Sequence, residues 1–428
     1  MFRTIYNQLK EWKDKSFHKP LILNGARQVG KTYVLREFGK AEFKKLAFFS
    51  LDRDKRAVGV FEQGGTTADI LLALSAISQV DITPQDTLLV LDEIQDCPKA
   101  LETLKYFCED MPDLHVIVAG SLLGLSLHGG VSYPVGKVEE IKMFPMTFME
   151  FLEAMGKTQM VQVLETRNWV VAEMLQQEFI SLLRQYYYVG GMPAAVLAFV
   201  EQQGLQEVRH IQRQIVADYR RDFSKHAPAR EVPRINMVWD SIPAQLVKEN
   251  KKFIYGAVRK SARASDFELA IQWLMDAGLA YKVPRVNALQ MPLKFYEDAS
   301  AFKLFMLDVG LMGAMADVSA ESMLVDNRFF SEYKGAFTEL YVFTQLKSRD
   351  FPLYYHSVNN SAIEIDFLTQ RNNQVVPIEV KAETNVKSKS LRLFIRNNPE
   401  LKGVRFSMLP YEEQDWMTNV PLYACMTW

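Results

Sequence analysis

Eight consecutive residues near the start of the chain have the pattern of a phosphate-binding loop, G-x-x-x-x-G-K-[ST]. In such a loop backbone N–H groups surround phosphate oxygens, a lysine holds the β- and γ-phosphates, and a hydroxyl ligates Mg²⁺. We therefore predict a site for ATP and Mg²⁺ in which Lys31 is the lysine and Thr32 the metal ligand. The predicted nucleotide contacts are Gly25, Ala26, Arg27, Gln28, Val29, Gly30, Lys31, Thr32 and Tyr33.

Two carboxylates follow the apolar run 87–91 and have the spacing of the second half of an ATPase site. Asp92 is the predicted holder of the Mg²⁺ shell, and Glu93 the predicted group that orients and polarises the attacking water. Ser121 ends another apolar run and is placed to touch the γ-phosphate or that water. The alternative is structural: the carboxylates end a core strand, and the serine belongs to a simple turn.

These residues require a particular set of elements to bring them together. The pattern predicts strands over residues 20–24, 45–51, 87–93, 114–121 and 138–143, with helices from residue 32 and over 98–111. Strand–helix alternation is typical of an α/β fold with a parallel sheet. We expect a P-loop ATPase domain over residues 1–150.

A second group of charged residues lies in the C-terminal part of the chain. Glu339 is on a predicted helix over 335–346, Asp366 on a strand over 362–368, and Glu379 and Lys381 on a strand over 376–381. Period-two alternation puts each strand's charges on one face. We predict that Glu339, Asp366 and Glu379 bind Mg²⁺ or Mn²⁺, with catalytic Lys381 beside them. The alternative is an inactive docking platform.

Between these regions the sequence indicates helices, with a break at 190–193. We predict a helical lid over 151–230, a winged-helix-like domain over 231–330, and the C-terminal domain over 331–428. The winged helix would use a basic cluster to contact double-stranded DNA through phosphates, or would serve only for packing inside an ATPase. The cluster consists of Lys248, Lys251, Lys252, Arg259, Lys260 and Arg263.

Composition limits the function classes. The 428 residues carry 50 Lys and Arg against 51 Asp and Glu, so no global charge favours nucleic acid or anionic lipid. Three scattered cysteines suit neither a disulfide framework nor a zinc site. The N-terminal residues are not an apolar leader, and the longest apolar stretch, 114–127, is too short to span a bilayer. We expect a cytoplasmic protein with no membrane association.

Several motifs together resemble a bacterial and archaeal family of AAA-type ATPases that is similar to the archaeal ATPase group and has a C-terminal region of unknown function. They are the phosphate loop, 91–95 (Leu-Asp-Glu-Ile-Gln), 119–121 (Ala-Gly-Ser), 144–151, 190–193 and 421–424. The resemblance implies ATP-dependent action, and oligomers are compatible with it. One position departs: Lys137 stands where the family usually has arginine, and lysine cannot make the same bidentate phosphate contact.

The C-terminal order of helix Glu, strand Asp and then Glu-x-Lys is similar to the PD-(D/E)xK nuclease core. Two functions therefore remain from the sequence. In the first, an ATP-hydrolysing switch or motor drives a DNA-directed, metal-dependent nuclease-like domain. In the second, a signalling or assembly ATPase carries a catalytically silent C-terminal domain that binds a partner protein.

Overall fold

The computed structural model describes residues 1–121, 133–248, 251–324, 333–357, 363–382 and 388–428. The chain divides into two compact units. One comprises Phe2–Phe144 and Asp276–Gly278, and the other comprises Met1, Pro145–Met275 and Leu279–Trp428. No helix in the described part of the chain has both the length and the apolar character to cross a membrane.

The first unit is built on a five-stranded sheet in which every pairing is parallel. Its strands are β1 (Leu21–Asn24), β2 (Lys45–Ser50), β3 (Thr87–Asp92), β4 (His115–Gly120) and β5 (Glu139–Lys142), in the order β2-β3-β4-β1-β5. The interior strand β3 is buried at all six positions. An uninterrupted apolar run is what a strand covered on both faces requires.

Five helices accompany this sheet: Ile5–Lys13, Lys31–Glu42, Lys55–Gln63, Thr67–Ser78 and Pro98–Asp110. Two of them begin where the sequence favours a helix start. Thr66 and Asp69 form a capping box at the start of one helix, and Pro98 occupies the first turn of another. The expected P-loop α/β fold is therefore confirmed.

The second unit begins with a long helical region, as expected for the residues after the ATPase domain. Its helices are Phe148–Ala154, Thr158–Glu165, Trp169–Met174, Gln176–Val189, Pro193–Val200, Leu205–His226, Val232–Leu246, Tyr255–Val258 and Ala264–Asp276, the last of which ends in the first unit. Later in the chain come Val309–Met315, Ala320–Leu324, Lys334–Lys347 and Lys389–Asn397.

The second unit also contains an eight-stranded mixed sheet in the order β12-β13-β11-β10-β9-β8-β6-β7. The strands are β6 (Ala280–Val286), β7 (Glu297–Met306), β8 (Tyr354–Ser357), β9 (Glu364–Arg371), β10 (Gln374–Val380), β11 (Gly403–Ser407), β12 (Glu412–Glu413) and β13 (Met417–Pro421). Strands β10, β11 and β13 pair in parallel, whereas β9 is antiparallel to both of its neighbours.

The strand pair expected for a winged helix is part of this larger sheet. β6 and β7 pair antiparallel after helix Ala264–Asp276, and Arg285 of β6 pairs with Tyr355 of β8. The pair thus continues into the strands of the predicted nuclease-like domain. The winged helix and the four domain ranges 1–150, 151–230, 231–330 and 331–428 stay predictions.

Candidate functional site

The phosphate loop connects β1 to helix Lys31–Glu42, and its backbone requires glycine. Gly25 has φ of +156°, and a Cβ there would lie 2.3 Å from the carbonyl oxygen of Met143. Gly30 has φ of +98° at the N-terminus of the helix. These conformations are open mainly to glycine. The loop leads directly into the helix N-terminus, where the helix dipole is positive. The helix end is therefore suited to an anion.

The side chain of Lys31 is held in place by carbonyl oxygens of the phosphate loop. Its Nζ donates to the carbonyl oxygens of Gly25 at 2.8 Å and Ala26 at 2.9 Å, and the residue is only 7% exposed. Burial lowers the pKa of Lys31 to about 8, although Glu93 and Asp92 act in the opposite direction. A phosphate would give this buried ammonium the counter-charge that carbonyl oxygens do not supply.

Thr32 and Asp92 meet directly, since the Thr32 hydroxyl donates to Asp92 Oδ2 at 2.7 Å. Burial raises the pKa of Asp92, and the bond from Thr32 counteracts this rise. A hydroxyl and a carboxylate next to a phosphate loop are oxygen donors of the kind that Mg²⁺ takes. These two residues fit the predicted metal position.

Glu93 is aimed by its backbone and by two neighbours. The residue has φ of +55°, a left-handed conformation that turns the chain as β3 ends. Its Oε2 accepts from Gln95 Nε2 at 2.6 Å and from the Ser121 hydroxyl at 3.3 Å. The Ser121 oxygen in turn accepts from Arg27 Nε at 3.3 Å. Phosphate loop, Ser121 and Glu93 thus form one hydrogen-bonded group.

Two other predicted residues lie differently. Tyr33 is about half exposed on the first turn of its helix. Lys137, the position that departs from the family pattern, forms an ion pair with Glu109 at 2.7 Å, and that carboxylate raises its pKa. Sequence reasoning missed Gln95 as a partner of Glu93, and also Asn24, whose Oδ1 accepts from the Gly25 N–H at 2.7 Å. Gln95 ends the motif 91–95, and Asn24 directly precedes the phosphate loop, so the motifs themselves were the signal that could have found both residues.

The C-terminal charges come together at adjacent strands. Because Phe367 pairs with Ile378 in antiparallel register, Asp366 and Glu379 follow as neighbours on β9 and β10. Asp366 Oδ2 accepts from the Val380 N–H at 2.7 Å, and Lys381 pairs with Glu379 at 3.2 Å. Burial, and then Glu339, raise the pKa of Asp366 to about 6, although three lysines act in the opposite direction.

The centre of this group is filled by ammonium groups that the sequence did not indicate. Lys303 of β7 is fully buried, and its Nζ contacts Glu339 Oε1 at 2.9 Å and Glu364 Oε1 at 3.1 Å. Lys251 pairs with the other oxygen of Glu339. Burial by itself would lower the pKa of Lys303. The negative charges of Glu339, Asp366 and Glu364 have a larger effect, so the pKa is raised above its usual value. Lys303 is therefore a fixed cation.

The predicted metal ligands Glu339, Asp366 and Glu379 thus lie among lysine side chains, whereas the sequence predicted a site for a divalent metal ion. No group of three or more His, Cys, Asp or Glu suited to a metal ion occurs in the part of the chain that the structure describes. The physical reason is that two lysines already pair with Glu339, so a divalent ion would meet ammonium groups there. Lys381 pairs with one oxygen of Glu379, and Asp366 accepts from a backbone N–H. These residues do not fit the Mg²⁺ or Mn²⁺ that a nuclease core implies.

The basic cluster of the predicted winged helix is partly neutralised as well. Lys251 belongs to the acidic centre, and Arg259 pairs with Asp266 at 3.5 Å. The sequence also offers two arginines on a lid helix as nucleotide contacts, or as part of an exposed charged helix, and here Arg220 pairs with Asp240 and Arg221 with Asp218. Lys387, which the sequence offers for phosphate contact or for solubility alone, lies outside the described residues.

Fold and site together define a P-loop domain of the AAA class, a nucleotide-binding fold that acts with a divalent metal, typically Mg²⁺. Residues 17–152 match the AAA domain family. Residues 180–322 and 334–425 match two domains of unknown function, DUF8612 and DUF4143. None of the curated proteins matches the chain.

Solved structures with a similar arrangement of elements share few identical residues with this chain. Drosophila ORC bound to DNA has 14% identity over 73% of this chain and 93% of its own, with a TM-score of 0.29. The Holliday junction branch migration motor RuvB of Thermotoga maritima has 14% identity over 65% and 89%, with a TM-score of 0.30. Cdc6p from Pyrobaculum aerophilum has 13% identity over 76% and 96%, with a TM-score of 0.28.

Proposed function

We propose that the AAA domain binds ATP with Mg²⁺ and hydrolyses it. The observation that carries this proposal is the Thr32–Asp92 hydrogen bond beside Lys31, with Glu93 held in the same site. Phosphate oxygens would take the place of the Gly25 and Ala26 carbonyl oxygens at the Lys31 ammonium. Thr32 and Asp92 would hold Mg²⁺, which would supply positive charge against the phosphates.

Each residue then has one task in hydrolysis. The loop N–H groups and Lys31 bind and orient the phosphates, while Thr32 and Asp92 hold the metal position. Glu93 accepts a hydrogen bond from the attacking water and polarises it, and Ser121 and Gln95 keep its carboxylate in place. Arg27 joins this group through Ser121, so the loop itself carries a cation toward the catalytic carboxylate.

Calorimetric titration with Mg-ATP tests this site. Lys31→Ala should abolish ATP binding, because it removes the ammonium that the loop holds for phosphate. Lys40→Ala is the matched control, since Lys40 is exposed on the same helix and pairs only with nearby Glu37. Unchanged affinity in Lys31→Ala would remove the phosphate loop from the nucleotide site.

For the C-terminal domain, the buried lysine favours the second of the two functions. We propose a signalling or assembly ATPase whose nuclease-like domain does not cleave DNA and instead serves a partner. Support comes from Lys303, which places a fixed positive charge between Glu339 and Glu364. A metal ion could displace this buried ammonium only by breaking its ion pairs. Breaking such a pair leaves a buried charge uncompensated and costs about 3–5 kcal/mol.

A cleavage assay separates the two functions. Linear and supercoiled DNA are incubated with the full chain and Mg²⁺ or Mn²⁺, with and without ATP, beside Asp366→Ala. We expect no cutting above background in either protein. Cutting by the wild type that disappears in Asp366→Ala would overturn the silent domain and restore the ATPase-coupled nuclease.

A further inference from the structure

The C-terminal domain contains a cavity that the acidic centre does not explain. Its volume is about 510 Å³, and its lining includes Ser388, Lys389, Arg392, Arg405, Gln414 and Trp416. This volume is within the range of about 300–1,000 Å³ that is usual for small-molecule sites. Three of the six named side chains are cationic, so an anion is the ligand that the lining selects.

Arg405 is the strongest indication of a ligand. It is only 6% exposed, and its hydrogen-bond partners are neutral: Asn419 Oδ1 at 2.7 Å and the Ser388 hydroxyl at 3.1 Å. No carboxylate in the described ranges forms an ion pair with it. Burying a guanidinium is costly when its hydrogen-bond partners are neutral. Its planar set of donors is suited to phosphate oxygens.

The other two cations are also available to a ligand. Lys389 and Arg392 lie on the first turn of helix Lys389–Asn397, are exposed, and pair with no carboxylate among the described residues. The N-terminal end of this helix also lies at the cavity, where the helix dipole favours an anion. Arg392 lies over the Trp416 ring at 5.5 Å from its centroid, which keeps the guanidinium at the cavity wall.

Two acidic residues lie near Arg405, but neither forms an ion pair with it among the described residues. Glu379, its register partner on β10, and Glu412 both raise the pKa of Arg405, although burial has the larger, lowering effect. Glu379 already pairs with Lys381, and Glu412 accepts from Gln414. Neither glutamate lines the cavity, whereas Lys389, Arg392 and Arg405 do, so the charge of the lining is positive.

We propose that this cavity binds a phosphate monoester, with the phosphoryl group at Arg405, Lys389 and Arg392 and the organic part against Trp416. Because the cavity is larger than a phosphate ion, the ester carries a group of about nucleoside size. Two sources offer that chemistry: a free mononucleotide and the 5′-terminal phosphate of an oligonucleotide. The proposal is independent of ATP hydrolysis.

Binding is measured by calorimetry on the full chain carrying Lys31→Ala, which removes nucleotide binding at the AAA domain. The probes are inorganic phosphate, AMP, and a short single-stranded oligonucleotide with either a 5′-phosphate or a 5′-hydroxyl. We expect the phosphorylated probes to bind and the 5′-hydroxyl oligonucleotide to bind at least about tenfold more weakly. AMP binding as tight as the oligonucleotide identifies a mononucleotide site, and preference for the oligonucleotide identifies a chain end.

Substitutions fix the location. Lys389→Gln with Arg392→Gln should weaken binding about tenfold or more, because both side chains are exposed and their loss does not disturb the core. Arg405→Gln should abolish binding. Arg396→Gln with Lys402→Gln is the charge-matched control and should leave it unchanged, since neither residue lines the cavity. Absence of binding by every probe, equal binding of the two oligonucleotides, or equal affinity of the cavity variants and the control would overturn the proposal.

Discussion

At the scale of single residues, the nucleotide site depends on groups whose protonation is set by burial. Lys31 is the clearest case, because its ammonium contacts only carbonyl oxygens while its pKa is lowered to about 8. Phosphate binding needs the charged form. The free protein is therefore only partly ready for ATP at alkaline pH.

This gives a pH dependence with a definite sign. As pH rises through about 8, Lys31 loses its proton in the free protein, so ATP binding must take up a proton and affinity must fall. Calorimetry at pH 8.5 in two buffers of different ionisation enthalpy should show proton uptake, whereas the same titrations at pH 7 should show much less. Identical heats in the two buffers at pH 8.5 would contradict a depressed pKa at Lys31.

At the scale of elements, several motifs that look functional in the sequence have structural roles. Gly191 donates its N–H to Asp308 Oδ2 at 2.6 Å, and Met146 donates to the Gly191 carbonyl oxygen at 2.7 Å. Thr147 and Glu150 form a capping box just after Met146. The segments 145–151 and 190–193 thus stabilise the packing of the second unit.

Gly191→Ala tests this structural role. A Cβ at Gly191 would lie 2.1 Å from the carbonyl oxygen of Met146, so backbone must shift. We expect the free energy of unfolding to fall by about 2–3 kcal/mol in a denaturant titration. Gly335→Ala is the control, because nothing lies within 4 Å of its added Cβ. Equal stability of the two variants would show that the close approach at Gly191 is not needed.

The first unit contains an acid-sensitive packing contact at the start of β4. His115 stacks on His18 with ring centroids 3.9 Å apart, and burial lowers its pKa from 6.5 to about 4. The folded state thus disfavours the charged ring, and the unfolded state binds more protons between these two values. Stability present above pH 6.5 is therefore lost as pH falls toward 4.

His115→Phe should reduce this acid dependence. Thermal unfolding between pH 7 and pH 4.5 should show a smaller loss of Tm in the variant than in the wild type, because the titrating ring is gone. His210→Phe, at an exposed histidine of the other unit, should leave the dependence as it is. Equal pH dependence in wild type and His115→Phe would exclude His115 as its source.

At the scale of the whole molecule, the sequence predicts what local patterns encode and misses what long-range pairing decides. The alternation of apolar strands with helices predicted the parallel sheet, and the G-x-x-x-x-G-K-[ST] motif predicted the phosphate loop. Lys303 could not be found, because an isolated lysine in β7 carries no pattern that brings it to Glu339, 36 residues later. The joining of β6 and β7 to the C-terminal sheet was missed for the same reason, because the pairing of Arg285 with Tyr355 links strands that lie 70 residues apart in the sequence.

The number of metal ions that the chain binds tests whether the AAA domain holds a metal ion and the C-terminal domain does not. With ATP present, electron paramagnetic resonance should detect one tightly bound Mn²⁺ per chain, because Thr32 and Asp92 provide the proposed metal position and the described residues contain no cluster of three or more metal-ligating groups. Asp92→Ala should remove this ion and Asp366→Ala should leave it. A second tight ion that Asp366→Ala removes would show that a metal can displace the lysines.

The central claim is that Glu93 activates water in an ATP site, and one comparison tests it directly. ATP binding and turnover are measured for the wild type and Glu93→Gln, which keeps the size and the hydrogen-bonding shape of the side chain. We predict unchanged affinity and a rate lower by about two orders of magnitude or more. Turnover equal to that of the wild type would contradict the account.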